Sequence, residues 1–287
     1  MTESTSATPF YTIGFSESIL QHLRRHTVHS HAAHVLPYLK PGLRVLDLGC
    51  GPGTLSIGLA EAIAPGELYG VDMEPSQVGL ARSIAEASGR DNATFEVGDV
   101  TALSFDDESF DVVHGHSILA HVPDTQAVLA EAKRVLKPGG LISVREWIFD
   151  GSFLAPDFEV IYDAWATLAE LITADDGHPN IGRDLKRYLL EAGFSDVRPA
   201  ASFTSYTTAE DVGYISRVIE DWFLSAEVRA WATAYGVATQ QHLDNLERAL
   251  KRWIGHPGAF GAVAYGECIA RKPPRLIGTP KTPKVTL

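Results

Sequence analysis

The sequence predicts an α/β fold organised around a doubly wound parallel sheet, and three observations carry the prediction. Short apolar runs alternate with helical patterns from Leu43 to Ser143, as consecutive βαβ units do. A glycine turn, Gly49-Cys50-Gly51-Pro52-Gly53, joins the first apolar run to a helical pattern. Two carboxylates, Asp72 and Asp99, close the second and third runs, on the sheet edge where such folds bind ligands.

The elements follow in order. Leu43 to Leu48 reads as the first strand, and Glu67–Val71, Thr94–Val97, Phe110–His114 and Leu141–Glu146 supply four more, flanked by turn residues such as Pro65-Gly66 and Pro138-Gly139-Gly140. Val128, Leu129, Ala132, Val135 and Leu136 recur at helical spacing, and the Pro-Gly-Gly beyond them stops that helix. After Asp150 the spacing predicts helices over Phe158–Thr173 and Leu185–Glu191, with Gly193 as a C-cap, and then a strand over Val197–Tyr206. A helical stretch from about Ala209 to Trp253 reads as an insertion, and Ala262–Ala270 as a closing strand. The insertion carries Tyr214, Trp222, Phe223, Trp231 and Tyr235, which either line a pocket or simply pack. One domain over 11–271 is expected, with a lid at about 208–257, a disordered start over 1–10 and a flexible tail over 272–287.

Composition narrows the partners. A hydrophobic share of 45% with 21% charged residues suits a packed core and rules against intrinsic disorder. With 24 basic and 36 acidic side chains the formal charge is -12, which repels phosphate backbones, so no nucleic-acid partner is expected. Cys50 and Cys268 are the only cysteines, too few for a disulfide framework, and no signal pattern or membrane-spanning run appears, so a cytoplasmic location and no membrane partner are expected.

The run Val45-Leu46-Asp47-Leu48-Gly49-Cys50-Gly51-Pro52-Gly53-Thr54 is the most informative segment. Its G-x-G-x-G spacing, with Thr54 where a dinucleotide fingerprint wants its third spaced glycine, argues against a nicotinamide-dependent reductase. Alone, such a cluster is equally a tight strand-to-helix turn without a ligand. Asp72, nineteen residues after Gly53, and Asp99 shift the balance, because the edges of a doubly wound sheet converge on one crevice and a carboxylate there accepts ribose hydroxyls.

On these residues, together with Gly70-Val71-Asp72-Met73, Gly98-Asp99-Val100, Phe110-Asp111-Val112-Val113, His121-Val122-Pro123-Asp124 and Arg134 to Gly140, the chain resembles the class I S-adenosylmethionine-dependent methyltransferases. The likeness is to the subgroup of ubiquinone and menaquinone biosynthesis and spans Tyr11 to Pro273. It implies a Rossmann-like doubly wound sheet of seven strands with an antiparallel last strand at the sheet edge, an N-terminal helix and a helical lid insertion. It also implies S-adenosylmethionine as cofactor. Gly49, Gly51 and Gly53 would lie under its methionine and ribose, Asp72 on the ribose hydroxyls, Met73 beside the adenine, and Asp99 with Val100 at the adenine amino edge. Asp47, Gln77 and His116 would join the cofactor side, and Tyr11, Arg25 or Thr27 would approach the cofactor carboxylate. Relatives in this subgroup often carry Arg just before that threonine, where this chain has His26.

The sulfonium methyl is already activated, so alignment and water exclusion dominate and a base is optional. The candidates by fold analogy are His116, which leaves the fourth strand beside the expected methyl, then His121 and Glu146, each of which has a purely structural reading as well. His22, His26, His29, His31 and His34 crowd the N-terminal stretch, and the His22/His26 and His26/His29 spacings share a helix face, but no carboxylate or cysteine joins them and no metal site is expected. The residues after the fourth strand, His114-Gly115-His116-Ser117, lack the signature of base-modifying enzymes, which leaves a small-molecule substrate, apolar or ring-bearing, with a homodimer open. A catalytically silent S-adenosylmethionine-binding scaffold or sensor stays open beside the enzyme.

Overall fold

The structure, a computed structural model, describes residues 17–156, 159–174 and 176–275. Tyr11, the expected disordered start and the tail from residue 276 lie outside the described residues, as do the side chains of Trp222 and Phe223. Two short helices, α1 (Glu17–Arg24) and α2 (Val28–His31), precede β1 (Arg44–Leu48), α3 (Thr54–Ile63), β2 (Glu67–Asp72), α4 (Pro75–Ala87), β3 (Ala93–Val97) and β4 (Phe110–His116). Then come α5 (Thr125–Val135), β5 (Leu136–Ala155), α6 (Glu159–Ala174), α7 (Leu185–Glu191) and β6 (Ser195–Tyr206). The helices α8 (Ala209–Leu224), α9 (Ala226–Ala234) and α10 (Gln240–Ile254) and the strand β7 (Phe260–Arg271) are the last described elements.

The seven strands run in the order β3-β2-β1-β4-β5-β7-β6, with the first five parallel and β7 antiparallel to both of its neighbours. The expected antiparallel last strand is present, but it lies between β5 and β6, and β6 takes the edge. The expectation of an edge position for β7 is thereby corrected. β7 is buried along most of its length, as a strand paired on both sides must be, whereas β6 alternates with exposed residues. The fifth strand is also longer than the apolar run suggests, because β7 continues to pair with it beyond Ile148 after a register shift that resumes at Phe153.

Period-two alternation sorts the side chains onto two apolar layers. Val45, Leu68, Val112 and Leu141 pack with Leu55, Leu59, Ile63, Val78 and Ala81 of α3 and α4. Leu46, Leu48, Val113, Ile142 and Val144 pack with Val128, Leu129, Ala132 and Val135 of α5 and, through a continuous core, with the α10 residues Leu243, Leu246 and Trp253. Trp253 is fully buried and donates its indole N–H to the Ala155 carbonyl at 2.8 Å, which ties α10 to β5. Helix α7 ends as expected at Gly193 (φ 77°), where the Phe194 and Gly193 N–H groups close onto the Leu189 and Leu190 carbonyls. The first tail residues are held as well: Lys272 donates through Nζ to the Leu136 carbonyl at 2.7 Å and pairs through its backbone with Gly139 and Gly140.

Gly53 caps α3 in the left-handed region (φ 80°), and a Cβ there would meet Ala81 Cβ at 2.8 Å and its Cα at 3.0 Å. Replacing Gly53 by Ala is expected to destabilise the fold by about 3 kcal/mol, the sum of backbone strain and overpacking against α4. Equilibrium urea unfolding reads this loss, and an unchanged midpoint would refute it.

Candidate functional site

Strand β1 delivers the chain into the glycine turn at the carboxyl edge of the sheet, where Gly49, Gly51 and Gly53 all have positive φ. Asp72 sits at the end of β2 and braces this turn: one carboxylate oxygen accepts the Gly51 N–H at 2.9 Å and the other accepts the Glu74 N–H at 3.0 Å. A carboxylate offers about four lone-pair sites, so two remain for a ligand. Burial holds the Asp72 carboxyl above its ordinary range, against the pull of those two N–H groups. Asp47, one turn below, is buried and accepts the Ser56 hydroxyl at 2.5 Å. Its pKa is pushed up to about 7 by burial. Asp47 therefore fastens β1 to α3.

The other residues expected on the cofactor side lie around the same edge. Met73 is 66% exposed and Val97 50% exposed, an unusual apolar platform beyond β2 and β3. Val100 is buried, while Asp99 is exposed and accepts both the backbone N–H and the hydroxyl of Thr101. Gln77 is buried at the start of α4, and its Oε1 has no hydrogen-bond partner among the described residues. Thr27 is exposed and caps α2, accepting the Ser30 N–H.

Towards the carboxyl end of β4 one sheet face changes from apolar to polar. Along β4 that face reads Val112, His114, His116; along β5, Leu141, Ser143, Arg145; along β7, Ile269, Glu267, Tyr265. Ser143 links the rings of His34 (2.9 Å) and His114 (3.2 Å). Arg145 is 1% exposed; its Nε donates to Glu267 at 3.2 Å, its Nη2 to Thr204 at 3.1 Å, and its guanidinium lies 3.4 Å from the Tyr265 ring centre. The N-terminal segment covers this polar face. Leu23 accepts the Thr54 hydroxyl at 3.0 Å, Val28 packs against Gly58, and His22 bonds through Nδ1 to the Tyr214 hydroxyl of α8. Arg25 stacks its guanidinium 4.1 Å from the Tyr214 ring centre.

Under that cover lie His26, His31 and His116, whose rings pack edge-on or stacked with centres 3.8–5.2 Å apart. His116 Nδ1 donates to the Arg145 carbonyl at 3.3 Å, which leaves the Nε2 lone pair facing inward. Burial, first, and the nearby Arg145 charge lower the pKa of His116 well below 6.5 and that of His31 to about 3. His26 is lowered well below 6.5 by burial and by the adjoining histidines.

The three catalytic candidates are not brought together. Glu146 follows Arg145 in β5 and so points to the opposite sheet face from His116. It is fully buried and accepts the N–H groups of Ile118, Leu119 and Ala120 at 2.9–3.2 Å. Burial lifts its pKa to about 7 against those donors. His121 stands edge-on to Trp147, and burial lowers its pKa to about 4. Arg145 and Tyr265 enter the polar recess without having been singled out from the sequence, beside Tyr214 of the aromatic insertion. The alternation of β4 and β5 was the available signal, since positions 112, 114, 116 and 141, 143, 145 each share a face.

Comparison with known proteins bears on the family and the fold. A family model described as "Methyltransferase domain" matches residues 39–176. An uncharacterized methyltransferase of Schizosaccharomyces pombe is 30% identical over 73% of this chain and 78% of its own length. A demethylmenaquinone methyltransferase of Staphylococcus aureus is 30% identical over 61% of this chain and 77% of its own. Among solved structures, a putative methyltransferase from Bacillus halodurans superposes with a TM-score of 0.58 at 20% identity, covering 84% of this chain and 98% of that one.

Proposed function

Because the chain belongs to the S-adenosylmethionine-dependent methyltransferases, we propose that it transfers the cofactor methyl group to a small-molecule acceptor bound in the recess under the N-terminal segment and α8. The observation that carries this reading is that a braced carboxylate suited to a ribose, Asp72, and the buried polar cluster of His116 and Arg145 lie at the same carboxyl edge of the sheet. In this reading Gly49, Gly51 and Gly53 admit the cofactor close to the backbone, Asp72 accepts the ribose hydroxyls, and Met73 with Val97 flanks the adenine beside Asp99 and Val100. Gln77 and Asp47 support the turn from below. Thr27 is assigned to the methionine end of the cofactor.

The reaction is an in-line displacement. An acceptor lone pair forms a bond to the methyl carbon, the carbon–sulfur bond breaks, and the electron pair stays on the sulfur of the departing thioether. The positive charge of the sulfonium is thereby lost, so the enzyme's task is alignment and exclusion of water. His116 supplies the inward lone pair nearest the end of β4 and is the residue assigned to the acceptor side. Glu146, which faces the other side of the sheet, and His121, packed edge-on to Trp147, are assigned the support of the loop after β4. A ring-bearing acceptor suits the aromatic walls offered by Tyr214 and Tyr265. Among the described residues no helix is long and apolar enough to cross a membrane.

Calorimetric titration tests this. The wild type is expected to bind S-adenosylmethionine and its demethylated product one to one, and Asp72→Ala to weaken both by about 100-fold or more, since it loses charge-assisted hydrogen bonds and the Gly51 brace together. No heat from the wild type, or unimpaired binding by the variant, would reject the cofactor placement. Binding without turnover of any acceptor would favour the scaffold reading instead.

A further inference from the structure

We propose that His26, His31 and His116 form a binding site for one divalent transition-metal ion of the zinc class. Three imidazoles from three separate places in the chain, the turn after α1, the end of α2 and the end of β4, each bring one ring nitrogen to within 4.8 Å of the other two. Of the two helix-face pairs visible in the sequence, His22/His26 does meet, at 3.3 Å, although α1 ends at Arg24, whereas His29 is exposed and stands apart from His26.

Two features distinguish this trio from histidines that merely pack. The Nε2 atoms of His31 and His116 are buried and have no hydrogen-bond partner among the described residues. Leaving such atoms unsatisfied costs about 1–3 kcal/mol each, so a ligand that fills the gap recovers that cost. Their opposite nitrogens are meanwhile anchored. His116 Nδ1 faces the Arg145 carbonyl at 3.3 Å, and His31 Nδ1 faces the Ser30 hydroxyl at 2.7 Å, which itself donates to the Thr27 carbonyl at 3.3 Å. A donor nitrogen held by a carbonyl or hydroxyl, with the other nitrogen directed inward, is the support that metal-bound histidines receive. His26 is braced in turn by His22, 3.3 Å away, which is tied to Tyr214.

The donor set selects the ion. Neutral imidazoles without carboxylates suit zinc, cobalt, nickel, copper or iron and leave magnesium and calcium poorly served. Tetrahedral zinc holds nitrogens at about 2.0–2.1 Å, so the rings must draw inward and the stacked pair His26/His31, at 3.8 Å and 20°, must splay. Three protein ligands leave a fourth position open. Three neutral ligands leave the ion's charge uncompensated, and Arg145 adds its own beside it, offset by Glu267. The fourth ligand is therefore an anionic oxygen or sulfur. On the methyltransferase reading, which this part of the inference rests on, that ligand is the deprotonated acceptor, and coordination replaces a protein base in holding the nucleophile ready.

The test uses the full chain freed of metal with a chelator and measured without S-adenosylmethionine, so its result is independent of the cofactor titration. Zinc titration is expected to show one ion per chain with a dissociation constant of about 1 μM or tighter, and cobalt to give the visible absorption of a low-symmetry nitrogen site. His31→Gln and His116→Gln should each weaken binding by about 100-fold or more, while His29→Gln, on the same segment but exposed, keeps it. Thermal unfolding without metal reports whether each variant folds. Should a variant fail to fold, X-ray absorption of the zinc-loaded wild type decides: a shell with three imidazoles supports the site, and an oxygen-only shell overturns it. Absence of stoichiometric binding, or binding that survives both ligand substitutions, overturns it as well.

Discussion

Acidification from pH 7.5 to pH 5 is expected to unfold the protein, with roughly 5 kcal/mol of stability lost per pH unit once the pH falls below about 6. The cause is the set of buried histidines. Burial lowers the pKa of His22, His34 and His121 to about 4 and of His31 and His114 to about 3, and it lowers His26 and His116 as well. In the folded chain these rings stay neutral through pH 5, whereas in the unfolded chain they take up protons from about 6.5 downward. The unfolded state then binds more protons, so stability from these groups is complete above 6.5 and lost as the pH falls towards the folded values. Three carboxyls oppose this. Asp47 and Glu146, raised to about 7, hold protons in the folded state that the unfolded chain has released, and burial shifts Asp72 in the same direction, so they favour folding on the acid side. Seven groups against two, with Asp72 adding to the two, leave about four to five protons, each worth about 1.36 kcal/mol per pH unit. Against a typical domain stability of about 5–15 kcal/mol, this places the acid midpoint near pH 5. Circular dichroism across pH 4–8, with calorimetry to fix the melting temperature, measures it, and a melting temperature unchanged between pH 7.5 and 5 would contradict the assignment of neutral buried histidines.

The same histidines mark where the sequence stops being informative. The glycine turn, Asp72 and the first five strands are legible because each is a local signal: apolar alternation, a turn residue, a strand end. The recess is not local. His26 and His31 meet His116 only because the Thr54 hydroxyl fastens Leu23, and Val28 seats on Gly58, placing the N-terminal segment across α3. Helical spacing pointed to His22, His26 and His29 as neighbours; His22 and His26 do meet, but a turn at Arg25 and His26 ends the helix and leaves His29 outside. The place of β7 was hidden for a related reason. Its sequence shows a buried strand, and only pairing on both sides, with β5 and β6, fixes it inside the sheet.

Glu146 shows the limit most sharply, because its identity as a carboxylate at a strand end suggested a base while its partners are backbone groups that no residue type announces. Glu146→Ala is expected to cost about 3–6 kcal/mol, because three buried N–H groups, those of Ile118, Leu119 and Ala120, lose their acceptor at once. Glu146→Gln keeps one carbonyl oxygen with two lone pairs and should cost clearly less. The loop that Glu146 holds also carries Ile118, whose side chain lies so close to Gly49 that a Cβ there would meet it at 2.7 Å. Loosening the loop therefore loosens the glycine turn, and S-adenosylmethionine affinity should fall with stability in the order wild type, Gln, Ala. A base role predicts a different pattern, in which Gln and Ala abolish transfer equally while the melting temperature and cofactor affinity stay near those of the wild type. Measuring denaturant midpoints and cofactor binding on the same three proteins separates the two, since an anchor acts through the turn it holds and a base acts only on the reaction.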